Sequence, residues 1–206
     1  GFKHYEQSLR VVDILERDGR GLNLCYETRM GILHHTHGQD GDSPEAVAVR
    51  LCDRIAYINH DIDDALRSNV ISMDDIPESS LKLFGYSHRE RIDNMVTDVI
   101  ANSTDRDEIF QSESFRDELN KLRSFMFSHV YKSSRVKREE DLAKVEVVIR
   151  SLYEYFLKNS DKLPEDLRLI AEKDGINEAV KDYVAGMTDR FALNIYTDLF
   201  VPKSWK

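Results

Sequence analysis

Apolar residues recur along this chain at steps of three and four, and no alternating stretch is long enough for a strand. The clearest stripe is Leu51, Ile55, Ile58, Ile62 and Leu66. Ser43 before it is a good N-cap, Pro44 takes the first helical position, and Glu45 places a negative charge in the first turn. The pattern predicts one helix over residues 43–68. The rest of the chain is organised around it.

The other segments read the same way. Residues 4–18 carry Leu9, Val12, Ile14 and Leu15, and Asp18-Gly19-Arg20-Gly21 ends the run as a turn. Residues 22–36 predict a second helix, with Leu24, Met30, Ile32 and Leu33, followed by a polar loop from Gly38 to Gly41. Residues 69–86 break into short pieces around Pro77 and Gly85. Ser87-His88-Arg89-Glu90 has the form of a capping box and opens a helix to about Asn102. Ser114-Phe115-Arg116-Asp117 predicts another start, with a helix to about Lys132. A long helix is expected over 135–159, with Leu142, Val145, Val148, Ile149, Leu152 and Phe156 on its core side. Pro164 opens a short helix that stops before Gly175, and a last one spans about 177–200 before Pro202. The expected fold is all-α, a compact non-repetitive helical domain over residues 1–206.

Composition agrees with a globular chain. Of 206 residues, 41% are hydrophobic and 33% charged, enough for a real core. The net charge of -9 disfavours a general nucleic-acid or anionic-membrane binder, although a cleft on an acidic protein can still be basic. No apolar run approaches the ~18 residues that span a bilayer. Cys25 and Cys52 stand in no metal-ligand spacing and are expected as free, buried thiols of a cytoplasmic protein.

At about 100° per residue, Asp53, Tyr57, His60, Asp61 and Asp64 gather opposite the apolar stripe of the central helix. A solvated acidic face is the plain reading. Ala46, Val49 and Ala56 lie beside Asp53, however, and predict that this end of the helix is buried all round. A buried carboxylate needs a partner, and a divalent metal is a good one.

Asp53-Arg54-Ile55-Ala56-Tyr57-Ile58-Asn59-His60-Asp61 resembles the last metal-ligand helix of the HD-domain deoxynucleoside triphosphate triphosphohydrolases, the dGTPase-like family. Gly1-Phe2-Lys3-His4-Tyr5-Glu6-Gln7-Ser8-Leu9-Arg10-Val11 is similar to a second family segment. Asp182-Tyr183-Val184-Ala185-Gly186-Met187-Thr188-Asp189-Arg190-Phe191-Ala192 is similar to a third, and the ending Phe200-Val201-Pro202-Lys203-Ser204-Trp205 resembles family endings. The resemblance implies hydrolysis of a dNTP, dGTP-like, to a deoxynucleoside and inorganic triphosphate. It implies Asp53 as a metal ligand (Mg or Mn) and His4 as a catalytic group that reaches the phosphates. It implies Arg54 as a phosphate contact, Tyr57 against the deoxyribose, and Asp61 as acceptor for the 3'-hydroxyl. Arg190 would reach the nucleotide. A homo-oligomer is expected, and no membrane or nucleic-acid partner.

The resemblance also marks a departure. The family's other metal ligands, a His and a His-Asp pair, have no counterpart here; His60-Asp61 lies inside the downstream helix and is not that pair. The chain therefore reads as a C-terminal portion lacking the N-terminal helices that carry the His-Asp pair. Residues 1–68 would be the remainder of the HD catalytic core and 69–206 the C-terminal helical part. The isolated chain is expected to be inactive, because one carboxylate cannot hold a catalytic metal tightly. His34, His35 and His37 are expected to pack or cap rather than bind metal, and Gly186 to allow close helix approach. The basic run from Lys132 to Arg138 is a solvated helix start or a phosphate contact at a subunit boundary. The alternatives are a non-catalytic nucleotide-binding regulatory or assembly module of the same fold, and a nucleic-acid-binding domain centred on residues 132–138, which the acidic charge disfavours.

Overall fold

The computed structural model describes residues 1–133 and 139–203. Helices α1 (His4–Arg10), α2 (Tyr26–His34), α3 (Pro44–Arg67), α4 (Glu78–Phe84), α5 (His88–Ser103), α6 (Glu113–Met126), α7 (Glu139–Lys158), α8 (Glu165–Asp174), α9 (Ile176–Ala185) and α10 (Asp189–Phe200) account for most of it. No strand occurs among the described residues, so the fold is all-α. The chain forms two compact units, one from residues 1–12 and 23–137, the other from 13–22 and 138–206.

The first unit is built on α3. Ser43 caps it, its side chain accepting from the Ala46 N–H at 3.3 Å, with Pro44 at the first turn. Ile55, Ile58, Ile62 and Ala65 are buried in the same cluster as Phe84 of α4, Met95 of α5, and Leu119, Leu122 and Met126 of α6. Each such large side chain contributes about 1.5–3 kcal/mol of transfer free energy. Of the predicted stripe, Ile55, Ile58, Ile62 and Leu66 lie in this seam, and the half-buried Leu51 lies outside it. The capping box at Ser87 and Glu90 forms as expected. Gly85 before it has φ 113, and a Cβ there would stand 2.4 Å from the Glu90 Cβ. Glycine therefore satisfies both the backbone and the space at this corner.

The second unit packs Leu152 and Phe156 of α7 against Leu167 and Ile170 of α8 and Ala179 and Val180 of α9. Leu15 joins this core from the segment after α1, where the helix widens into a π-type turn over Val11–Leu15. It reverses where Arg17 and Asp18 adopt left-handed backbone.

Five expectations need correction. Leu142, Val145 and Ile149 are exposed, and the core side of α7 is the Val148, Leu152, Phe156 row. Two adjacent apolar rows on one helix cannot be ranked by period alone. The cap of α6 is Ser112, which accepts from the Phe115 N–H, not Ser114. The expected last helix is two helices, because Gly186 ends α9 and Thr188 caps α10 by accepting from Phe191. Gly186 thus serves at a helix end instead of a helix crossing. Both cysteines are exposed.

Candidate functional site

The N-terminal half of α3 faces a groove of about 610 Å³. Ala46, Val49 and Asp53 line it from α3, Thr28, Gly31 and Ile32 from α2, with His35 and Ser8 at its edge. Asp53 is exposed, and Val49 is 59% exposed. The expectation that this end of α3 is buried all round is therefore corrected. Its apolar neighbours are groove walls, and within the first unit Asp53 stands in water.

The end of α2 is locked to α3 by one carboxylate. Asp42 Oδ1 lies 2.7 Å from His34 Nδ1, and its Oδ2 accepts from Arg50 Nη1 at 2.6 Å and from the Gln39 N–H at 2.8 Å. Burial alone would raise the Asp42 carboxyl; the Gln39, Arg50 and His34 contacts outweigh it and hold it below the usual carboxylate range. Next to this clasp, His4 at the start of α1 reaches the end of α2. Its Nε2 is 3.0 Å from Thr36 Oγ1, and its ring meets that of His35 edge to face at 5.3 Å. His37 meets Tyr5 in the same way at 5.7 Å. His34, His35 and His37 thus each have a packing or bonding partner at this junction.

Two turns along α3 from Asp53, Asp61 accepts a hydrogen bond from the Tyr131 hydroxyl. Burial raises the Tyr131 pKa first, and the bond to Asp61 and the charges of Asp61 and Tyr57 add to it. The phenol therefore stays protonated and donates. Tyr57, half-buried against the core cluster, completes a group of two phenols and one carboxylate. Arg54 is half-buried on the same helix. Tyr131 was not legible as a site residue. It lies 70 positions from Asp61, and only the tertiary fold brings the two together.

The remaining polar residues of α3 have structural work. Asp63 pairs with Arg91 at 2.6 Å, and its other oxygen is 2.7 Å from His88 Nδ1. Arg91 is buried and also donates from Nε to Asn59 Oδ1 at 2.8 Å. His60 stacks on His88 at 5.4 Å, and Asp64 pairs with Arg67.

The donor set does not make a metal centre. Among the described residues no group of three or more His, Cys, Asp or Glu side chains is placed to share an ion. Arg190 is exposed on α10, in the second unit. Of the basic run, residues 134–138 lie outside the described residues, as do Ser204 and Trp205 of the ending. No helix among the described residues is long and apolar enough to cross a membrane.

A deoxyguanosinetriphosphate triphosphohydrolase-like protein of Caldanaerobacter subterraneus subsp. tengcongensis is 45% identical over 205 residues, covering 100% of this chain and 60% of the relative. A protein of the same description from Clostridium tetani is 38% identical over 214 residues, covering 98% and 61%. One from Desulfatibacillum aliphaticivorans is 36% identical over 220 residues, covering 98% and 62%. The chain thus spans about three-fifths of the length of these relatives. Over its full length the chain matches the deoxyguanosinetriphosphate triphosphohydrolase-like proteins, and its residues 109–198 match the phosphohydrolase-associated domain.

Proposed function

We propose that this chain is the nucleotide-holding part of a longer metal-dependent triphosphohydrolase that converts a dNTP, dGTP-like, to a deoxynucleoside and inorganic triphosphate. The observation that carries the reading is the order of groups along one rigid helix. Asp53 stands at a groove, Arg54 is next to it, and Tyr57 and Asp61 follow at one-turn steps, with Tyr131 held on Asp61. A triphosphate, a sugar and a base form a ligand of matching polarity order. The Arg54 guanidinium offers a fork of donors to phosphate oxygens. The Tyr57 ring packs against a deoxyribose and leaves no room for a 2'-hydroxyl. Asp61, oriented by Tyr131, accepts from the 3'-hydroxyl. His4 contributes a donor to a phosphate oxygen. The metal would take Asp53 as one ligand and needs the others from outside these residues, so no step of the reaction is assigned to this chain alone.

The test is release of inorganic triphosphate from dGTP with Mg²⁺ or Mn²⁺, run on the 206-residue chain and on its parent of the relatives' full length. The parent is expected to release triphosphate and the chain to release none. Release by the chain would sink the assignment of Asp53 as a lone ligand and turn attention to His34, His35, His37 and His60. A parent that binds dGTP without hydrolysing it would favour the regulatory or assembly module instead.

A further inference from the structure

Three hydrogen bonds at the junction of α1 and α2 run in series. His35 Nδ1 lies 2.7 Å from the Ile32 carbonyl oxygen. A carbonyl only accepts, so Nδ1 carries a proton. In the neutral ring His35 Nε2 is then an acceptor. Thr36 Oγ1, 3.3 Å away, is its donor. With its one proton given to His35, the Thr36 oxygen accepts, and His4 Nε2 at 3.0 Å donates to it. The order of protons along the series is determined by the Ile32 carbonyl at its far end.

We propose that Thr36 is a positioning residue that fixes His4 as the Nε2–H tautomer and leaves Nδ1 as the ring nitrogen for a ligand. The ligand class is a phosphate oxyanion, which rests on the reading of His4 given above. On that reading the imidazolium form serves both acceptors at once, Thr36 through Nε2–H and the oxyanion through Nδ1–H. The ring does not have to swing between them. The edge contact of His4 with Tyr5, at 5.5 Å, and the contact with His35 hold the ring plane while it does so. Thr36 touches no substrate in this arrangement. It acts through His4.

The experiment is long-range ¹H–¹⁵N correlation NMR on the ¹⁵N-labelled 206-residue chain, at a pH where both rings are neutral. His4→Gln and His35→Gln spectra identify the signals. The expected pattern is His4 as Nε2–H and His35 as Nδ1–H. In Thr36→Val, His4 should relax toward a two-tautomer average while His35 keeps its proton on the Ile32 side; Thr36→Ser should restore His4. A wild-type His4 protonated on Nδ1, or a His4 signal that Thr36→Val leaves unchanged, overturns the proposal. Titration with inorganic tripolyphosphate, at a lower pH where His4 carries both ring protons, then reads the ligand. It should move the His4 signals, with up to about tenfold weaker binding in Thr36→Val, the worth of one charge-assisted hydrogen bond. Tautomers as expected with no response to tripolyphosphate would overturn the phosphate role of His4 and leave its positioning by Thr36 standing.

Discussion

Single residues at the groove act through the partners they hold. Asp42 joins three groups around the loop after α2, and its carboxyl is held below the ordinary range, so its contribution has a sign that can be worked out. A depressed carboxylate adds stability that is present above its unfolded pKa, about 3.9, and is lost as pH falls through the lower folded value. The Gln39 amide, which donates to Asp42, is expected to stay protected from hydrogen exchange above about pH 4 and to lose protection below it. Asp42→Asn should cost about 2 kcal/mol at neutral pH, the scale of lost bonds to a charged group, and should flatten that acid limb. Amide exchange across pH 3–6 checks both; an Asn variant with an unchanged acid limb would assign it to another group. The sequence showed Asp53 and its apolar neighbours correctly as one cluster but not as a groove. Periodicity says which side chains share a face of a helix, and it is silent on whether another element covers that face.

At the scale of elements, α3 was legible almost to the residue because its signals agree. The Ser43 cap, Pro44 and the apolar stripe all specify the same helix. The C-terminal elements were less legible, since Gly186 followed by Thr188 is compatible with a tolerated glycine or with a stop and restart. What ties α3 to α5 was not legible at all. It is a polar network at the edge of an apolar seam, with Arg91 at its centre and Asn59, Asp63 and the Tyr86 carbonyl around it. Asn59 in turn donates to the Ile55 carbonyl at 2.7 Å. Arg91→Leu would remove one member, strand the buried Asn59 oxygen and leave the half-buried Asp63 carboxylate with His88 alone. Breaking a fully buried pair from one side costs about 3–5 kcal/mol, and the part-exposed Asp63 with its second partner His88 brings the expected cost to about 2–3 kcal/mol, still above the loss of a surface pair. Urea unfolding of the variant should show that loss in the first unit. A cost under about 1 kcal/mol would mean that water replaces the guanidinium and that the seam is held by Ile58, Ile62 and Met95 alone.

The whole molecule carries an apolar-walled groove beside its candidate metal ligand, and it corresponds to about three-fifths of its relatives' length. These two facts make one prediction about the parent protein. If the part of the parent beyond these residues supplies the missing ligands to Asp53, it is expected to come to this groove, which Asp53 lines. Cys25 lines the same groove, whereas Cys52 is exposed beside Asp53 on α3. A thiol reagent should therefore modify both cysteines in the folded 206-residue chain at rates near those of an unstructured peptide. In the folded parent Cys25 should be slowed by on the order of tenfold or more, a local protection of about 1.4 kcal/mol or greater. Mass spectrometry of alkylated peptides reads the two sites separately. Equal, fast modification of Cys25 in chain and parent would show that the groove stays open in the longer protein, and the remaining ligands of Asp53 would then have to come from another subunit.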